Sequence, residues 1–250
     1  MRTKTTILLA ALMVTACVHV GAQPVRVAAA ANLRFVLDDI KALYQRTRPG
    51  ATVEVTLGSS GLLLQQITNG APFDFFMAAD RAYAVKLKEQ GCTRGEIKTY
   101  AVGRLALWSD VVDVGKGIGV VLEDSVMHIA IAKPGVAPYG ERAIQCLTHY
   151  GLLEKVRKKL VYAENIAQAA QFAVTGNAEV GFVALALVLA PDMKGKGNYI
   201  ILDPGSYAPV EQACVLVKAR TENAEAAAFM DFVLSAACRP IFEKYGYRVP

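Results

Sequence analysis

The feature that most constrains this chain is an alternation of short apolar runs and amphipathic segments, joined by small or capping residues. After the run VRVAAAA, Asn32 precedes a stretch in which Leu33, Val36, Leu37, Ile40 and Leu43 recur at helical spacing. Asn32 reads as the N-cap of that helix, and Pro49-Gly50 as its stop. TVEVTL then reads as a strand. Gly58-Ser59-Ser60-Gly61 follows, then a helix from Leu62 to Thr68 closed by Asn69-Gly70, then a strand from Phe73 to Ala78. This β-α-β-α-β order predicts a mainly parallel sheet with right-handed crossovers.

From about Thr99 the pattern changes. YAVGRLALWS reads as one longer strand. HIAIAKPGVAPYGERAIQCLTHYGLL and LVYAENIAQAAQFAVTGNAEVGFVAL then repeat the strand–loop–helix scheme. EQACVLVKA reads as a further strand, followed by helices from about Asn223 to Ser235 and from Arg239 to Tyr245. The expected organisation is two α/β lobes: residues 23–98 with about 220–250 in the first, and about 99–219 in the second lobe and its hinge strands. The KVRKK cluster (Lys155 to Lys159) reads as the solvated face of an amphipathic helix around Val156 and Leu160.

The first 22 residues carry Arg2 and Lys4, then an apolar run from Ile7 to Val14, then small residues. This is the pattern of a secretory signal, too short to span a membrane. Val20-Gly21-Ala22 before Gln23 fits ordinary cleavage. Val14-Thr15-Ala16-Cys17 resembles a lipobox, which would make Cys17 a lipid anchor. A strand beginning at Val25 leaves little tether after Cys17, so cleavage after Ala22 is the reading taken here. The formal charge of +5 falls to +3 once Arg2 and Lys4 leave. So mild a charge, without a basic arm, argues against a nucleic-acid partner. Four cysteines remain: Cys92, Cys146, Cys214 and Cys238. An exported protein can form disulfides, but wide spacing gives no CxxC motif, and three full pairings are open alongside free thiols.

Nothing in the sequence calls for catalysis. The mature chain has two histidines, His128 and His149, both best read as structural. Gly58 to Gly61 lacks the spacing of a nucleophile elbow. GKGIG (Gly115 to Gly119) lacks that of a dinucleotide loop. A serine hydrolase built on Ser59 or Ser60 would have no recognisable base.

Binding is better supported. Four strand-to-helix junctions carry small or capping residues: Ala31-Asn32, Ser59-Ser60, Tyr139-Gly140 and Asn165-Ile166. A helix start exposes unpaired N–H groups and a partial positive charge. Several of them aimed at one point hold an anion without lysine or arginine, and in open α/β sheets such loops gather at the carboxyl ends of the strands. Taken singly, Ser59 or Asn32 would be read as a helix cap. Four junctions of one kind favour a ligand.

These segments resemble the bacterial periplasmic molybdate-binding proteins, the solute receptors of ABC importers. The resemblance rests on AAAANL (Ala28 to Leu33), GSSG followed by LLLQQITNGAPFDFFMAADR, TYAVGRLALWS, HIAIAKPGVAPYGERA, VYAENIAQA and the closing FEKYGYRVP. It implies a type II periplasmic-binding-protein fold, with two α/β lobes, a hinge and a ligand cleft between them. It implies a monomer that hands its ligand to a membrane permease, with no cofactor. Family ligand positions fall on Ala31, Asn32, Ser59, Tyr139 and Ile166, touching the oxygens of molybdate or tungstate rather than the metal. Many relatives have serine in place of Asn32, and some have a binding tyrosine where this chain has Ala184. No acidic residue stands at Ser59, Tyr139 or Ile166, so a tetrahedral oxyanion is expected. Sulfate or a small organic anion is the alternative; the latter would need an arginine such as Arg34 or Arg142.

Overall fold

The computed structural model describes residues 23–218 and 222–250. The expected signal segment 1–22 and the lipobox cysteine Cys17 lie outside the described residues. The first half runs β1 (Val25–Ala30), α1 (Arg34–Thr47), β2 (Val53–Gly58), α2 (Ser60–Thr68), β3 (Phe75–Ala78), α3 (Arg81–Glu89), β4 (Thr93–Gly103) and β5 (Leu105–Ser109). Then come β6 (Ile129–Ala132), α4 (Pro138–His149), α5 (Leu153–Val156), β7 (Leu160–Ala163), α6 (Ile166–Val174), β8 (Val180–Ala184), α7 (Leu185–Val188) and β9 (Asn198–Ile201). The chain closes with β10 (Val210–Val217), α8 (Ala224–Val233) and α9 (Arg239–Lys244). None of these helices is long and apolar enough to cross a membrane.

The strands form two five-stranded sheets, in the orders β2-β1-β3-β10-β4 and β7-β6-β8-β5-β9. In the first, β1 lies parallel to β2 and β3, and β10 runs antiparallel to both β3 and β4. The second repeats the scheme: β6 is parallel to β7 and β8, and β5 is antiparallel to β8 and β9. The sheets are therefore mixed. One antiparallel strand enters each because the chain passes between lobes twice, at Arg104 and again between β9 and β10.

That double crossing accounts for two differences from the sequence reading. YAVGRLALWS is not one strand: it is split at Arg104, and β4 and β5 belong to different sheets. β10 (Val210–Val217), which falls in the stretch assigned from the sequence to the second lobe and its hinge strands, lies inside the first sheet between β3 and β4. An apolar run reports burial, and either sheet would bury it. The KVRKK cluster is also no amphipathic helix. α5 ends at Val156, a single 3-10 turn covers Arg157–Lys159, and Leu160 already opens β7. α3 was not anticipated from the sequence; Asp80 caps it by accepting from the Ala82 N–H at 2.8 Å.

Helix α1 buries Val36, Leu37, Ile40 and Tyr44 against the first sheet. Tyr44 takes the inward place four residues after Ile40, and Leu43 is only half-buried. The Tyr44 hydroxyl donates to Glu225 at the start of α8. Phe229, Met230 and Val233 of α8 and Phe242 of α9 complete that core. The second sheet has its own core around Trp108, Phe182, Ile131 and the alanine-rich face of α6. Each buried aliphatic or aromatic side chain contributes about 1.5–3 kcal/mol.

The four described cysteines are all free thiols, with Cys146, Cys214 and Cys238 buried and Cys92 partly exposed. Burial pushes the Cys214 thiol up to about 12 and the Cys238 thiol up to about 11, so both stay protonated at neutral pH. Attack by a thiol reagent requires access and thiolate. With an aromatic disulfide reagent at pH 8, Cys92 should react in the native protein, and Cys146, Cys214 and Cys238 only after denaturation. Equal native and denatured titres would contradict this.

Candidate functional site

The carboxyl ends of β1, β2, β6 and β7 point into the gap between the lobes, where each strand gives way to a helix. After β1 the chain makes a 3-10 turn, Ala31–Leu33, before α1. After β2, Ser59 stands at the N-cap position of α2. α4 starts at Pro138, with Ala137 at its N-cap and the proline in its first turn. α6 starts at Ile166, capped by Asn165. These starts meet around one small cavity, lined by Ala30, Ala31, Asn32, Gly58, Ser59, Ser60, Ala79, Pro138, Tyr139, Asn165 and Ile166. The five residues singled out from the sequence, Ala31, Asn32, Ser59, Tyr139 and Ile166, all lie on its wall and are all buried. No charged side chain lines it.

Neither Asn32 nor Ser59 is a helix cap. The N-cap of the first turn is Ala30, and Asn32 lies within the turn. Its amide nitrogen instead donates to Gln212 Oε1 at 2.9 Å and to the Tyr247 hydroxyl at 2.7 Å. Ser59 occupies an N-cap position, yet its hydroxyl caps nothing. Its Oγ is buried and without a hydrogen-bond partner, as is Asn32 Oδ1. Ser60 does not cap either: its Oγ accepts from the Ala79 N–H at 3.0 Å, which pins the start of α2 to the loop after β3. The capping role the sequence offered to these residues is thus filled only by Asn165, whose Oδ1 accepts from the N–H groups of Ala167 and Gln168.

The backbone donors at the two helix starts of the second lobe can be accounted for one by one. Gly140 and Glu141 N–H both bond to Ala137 O, and Ala169 N–H bonds to Asn165 O. Ala167 and Gln168 are taken by the Asn165 side chain. The Tyr139 and Ile166 N–H groups have no partner among the described residues. Buried N–H groups are almost always paired, so two unpaired ones beside an unpaired serine hydroxyl mark a place built for an acceptor.

The lobes touch around this cavity. Gly61 N–H donates across the gap to Val136 O at 2.8 Å, and a Cβ at Gly61 would stand 2.8 Å from Val136 Cα, which only glycine avoids. The Tyr83 hydroxyl donates to Gly135 O at 3.2 Å. Arg142 on α4 pairs with Asp80 of the first lobe, and its guanidinium also donates to Pro209 O at 3.2 Å. Arg142 is therefore committed to closing the lobes, while Lys133 is exposed. Gln212 of β10 donates to the Tyr139 hydroxyl of the second lobe at 3.0 Å. Gly103 makes room for that contact: a Cβ there would meet the Tyr139 hydroxyl at 2.1 Å. Arg34 lines a wider outer cleft that shares Ala31 and Asn165 with the small cavity. Ala184, at the end of β8, is buried and lies off the cavity wall.

Sequence reading did not single out Gln212, Tyr100 or Tyr247, which surround Asn32. A buried glutamine in the middle of an apolar strand was the available signal. A hydrolytic use of the serines finds no base: Ser60 is tied to Ala79, Ser59 has no partner, and the His128 imidazole lies beside Glu179 on the outside of the second lobe.

Comparison with known proteins agrees with this geometry. Residues 25–248 match a family profile described as bacterial extracellular solute-binding protein. The molybdate-binding protein ModA of Rhodobacter capsulatus is 39% identical over 95% of this chain and 93% of its own length. The structure of the Azotobacter vinelandii periplasmic molybdate-binding protein superposes with a TM-score of 0.83, at 35% identity, over 90% of this chain and 99% of that one. The sulfate-binding protein SubI of Mycobacterium tuberculosis, at 14% identity and a TM-score of 0.74 over 90% of this chain and 86% of that one, shares the fold alone. The relatives are binding and transport proteins rather than enzymes, and the fold is the two-lobed type II periplasmic-binding-protein fold. The chain belongs to the family of bacterial extracellular solute-binding proteins, among the relatives of the molybdate-binding proteins of R. capsulatus and A. vinelandii.

Proposed function

We propose that this protein is the periplasmic receptor of an ABC importer, that it captures molybdate or tungstate in the cavity between its lobes, and that it works as a monomer. The observation that carries this reading is the meeting of unpartnered donors, the Tyr139 and Ile166 N–H groups and the Ser59 hydroxyl, in one buried cavity without a charged residue on its wall. The positive ends of α4 and α6 add field of the right sign. A narrow cavity walled by neutral groups suits a compact inorganic anion better than a larger organic one, and Ala31 and Asn32 complete its shell from the first lobe. The R. capsulatus and A. vinelandii relatives carry molybdate in their names.

Selectivity follows from the donor set. Hydrogen phosphate carries a proton that would face a donor, leaving both unpaired. Sulfate has no such proton and is rejected by size, because donors spaced for a larger tetrahedron leave its hydrogen bonds long. Opening of the lobes would release the ion to the permease.

Three outcomes are expected. In a thermal-shift series, molybdate and tungstate should raise the melting temperature, and sulfate at equal concentration should not. A saturating ligand contributes about 2.7 kcal/mol at a hundredfold excess over Kd. An equal shift with sulfate would remove the assignment to a metal oxyanion.

Binding should depend weakly on salt, since the donors are neutral and a closed cleft is screened little. Calorimetric titrations in about 0.05 M and about 0.5 M sodium chloride should agree within a few-fold. A hundredfold loss would mean that Lys133 or a freed Arg142 holds the anion.

Ser59→Ala should lower molybdate affinity about ten- to a hundredfold, the worth of a hydrogen bond to a charged group. It should leave the melting temperature of the ligand-free protein unchanged or slightly raised, because the hydroxyl it removes has no partner. Ser60→Ala should do the reverse: it strands the buried Ala79 N–H and costs about 1–3 kcal/mol of stability, with affinity nearly kept. Loss of binding in Ser60→Ala alone would move the contact to the other serine.

A further inference from the structure

The hydrogen bonds around Asn32 do not balance as they stand. The Tyr100 hydroxyl lies 3.1 Å from Ala78 O and 2.8 Å from Gln212 Oε1, with one proton for two acceptors. The Tyr139 hydroxyl accepts from Gln212 Nε2 at 3.0 Å, and its own proton has no acceptor among the described residues. Asn32 Oδ1 is buried with no donor. Burial pushes the Tyr100 and Tyr139 hydroxyls well above the ordinary phenol range, so both keep their protons at any working pH.

Turning the Asn32 and Gln212 amides by 180° together satisfies the Tyr100 and Tyr139 hydroxyls and changes the unpartnered atom of Asn32 from an acceptor to a donor. The oxygen and nitrogen of an amide exchange places with almost no change of shape. Gln212 Nε2 then donates to Asn32 Oδ1 and to the Tyr100 hydroxyl. Tyr100 keeps its single proton for Ala78 O. Tyr139 donates to Gln212 Oε1. Tyr247, 2.7 Å from the Asn32 amide and 3.2 Å from Asn32 O, then shares its one proton between Asn32 Oδ1 and that carbonyl. The turns must be coupled, because turning one amide alone sets nitrogen against nitrogen or oxygen against oxygen across the 2.9 Å contact. The atom of Asn32 that lacked a partner is now Nδ2, with two protons to give.

We infer that Gln212 is a positioning residue that sets which end of the Asn32 amide meets the bound oxyanion, and so whether the site accepts a fully ionised ion or a protonated one. This deepens the function proposed above and rests on it. With Nδ2 presented, the cavity offers donors only and suits molybdate. With Oδ1 presented, it offers an acceptor that a hydrogen phosphate proton would satisfy. The Tyr139 contact carries the setting across the cleft, since Gln212 belongs to the first lobe and Tyr139 to the second.

The test is the ratio of molybdate to phosphate affinity, measured by calorimetry at fixed pH. Gln212→Glu puts an acceptor opposite Asn32 and holds the amide with Oδ1 toward the ion. Molybdate affinity should fall about tenfold or more, the loss of a hydrogen bond to a charged group, while phosphate affinity should hold or rise. Gln212→Met, which offers neither donor nor acceptor of this kind, should give an intermediate ratio. A merely structural role for Gln212 would weaken both oxyanions alike and leave the ratio unchanged, and that result would overturn the inference. A second measurement needs no variant. Neutron diffraction of the deuterated wild-type protein with molybdate bound should place two deuterons on the Asn32 atom nearest the ion, and an oxygen there would equally overturn it. A wild-type protein that fails to bind molybdate would instead sink the functional proposal itself.

Discussion

An N–H or O–H group buried without an acceptor costs about 1–3 kcal/mol, and this protein gathers several such groups at one point between two sheets. The Tyr139 and Ile166 N–H groups and the Ser59 hydroxyl stand unpaired around the same small cavity. Much of the architecture serves to bring these donors together. Parallel strands end on one side of each sheet, and the helix that follows each strand starts there. Two sheets facing each other across a gap put the starts of four segments around one volume, which a single sheet could not enclose.

The crossings between lobes explain how the gap is held. One crossing at Arg104 and one between β9 and β10 tie the sheets by two short segments, a linkage that lets rigid lobes open and close. Contacts at the rim are few and specific: the Gly61 N–H with Val136 O, Tyr83 with Gly135, and the pairing of Arg142 with Asp80. Arg142 is the only cation paired across the lobes among the described residues, and it meets a carboxylate at the rim rather than the cavity. A paired cation there adds closing force without placing a formal charge where the ion would sit. On the function proposed, neutral donors in the cavity leave selectivity to spacing and proton count. A lysine or arginine would attract any anion of sufficient charge.

Behind the wall lies a layer that looks structural by residue type, with Gln212 and the hydroxyls of Tyr100, Tyr139 and Tyr247. Its members are buried, uncharged and able both to give and to accept. Such a layer transmits orientation. An amide bonded on one side to fixed phenols has its other side decided for it, and Asn32 is that other side. Ser59 has no such partner behind it, so its hydroxyl is free to turn toward an acceptor in the cavity.

The local order was legible in the sequence. Alternation of apolar runs with helical spacing gave the β1-α1-β2-α2-β3 succession, Pro49-Gly50 and Asn69-Gly70 gave the helix ends, and the small residues after the strands marked the junctions that line the cavity. Resemblance then singled out Ala31, Asn32, Ser59, Tyr139 and Ile166, which the fold brings to one place. The sequence did not show the sheet to which β10 belongs, because an apolar run is satisfied by burial in either sheet and pairing is a long-range choice. Nor did it show that Asn32 and Ser59 cap nothing: a capping residue and a ligand residue share the same side chain at the same junction, and only the position of neighbouring N–H groups separates them. The tie between Asn32 and Gln212, 180 residues apart, was likewise hidden. Local chemistry determines which groups can donate, and the tertiary structure decides which of them are left with no partner to donate to.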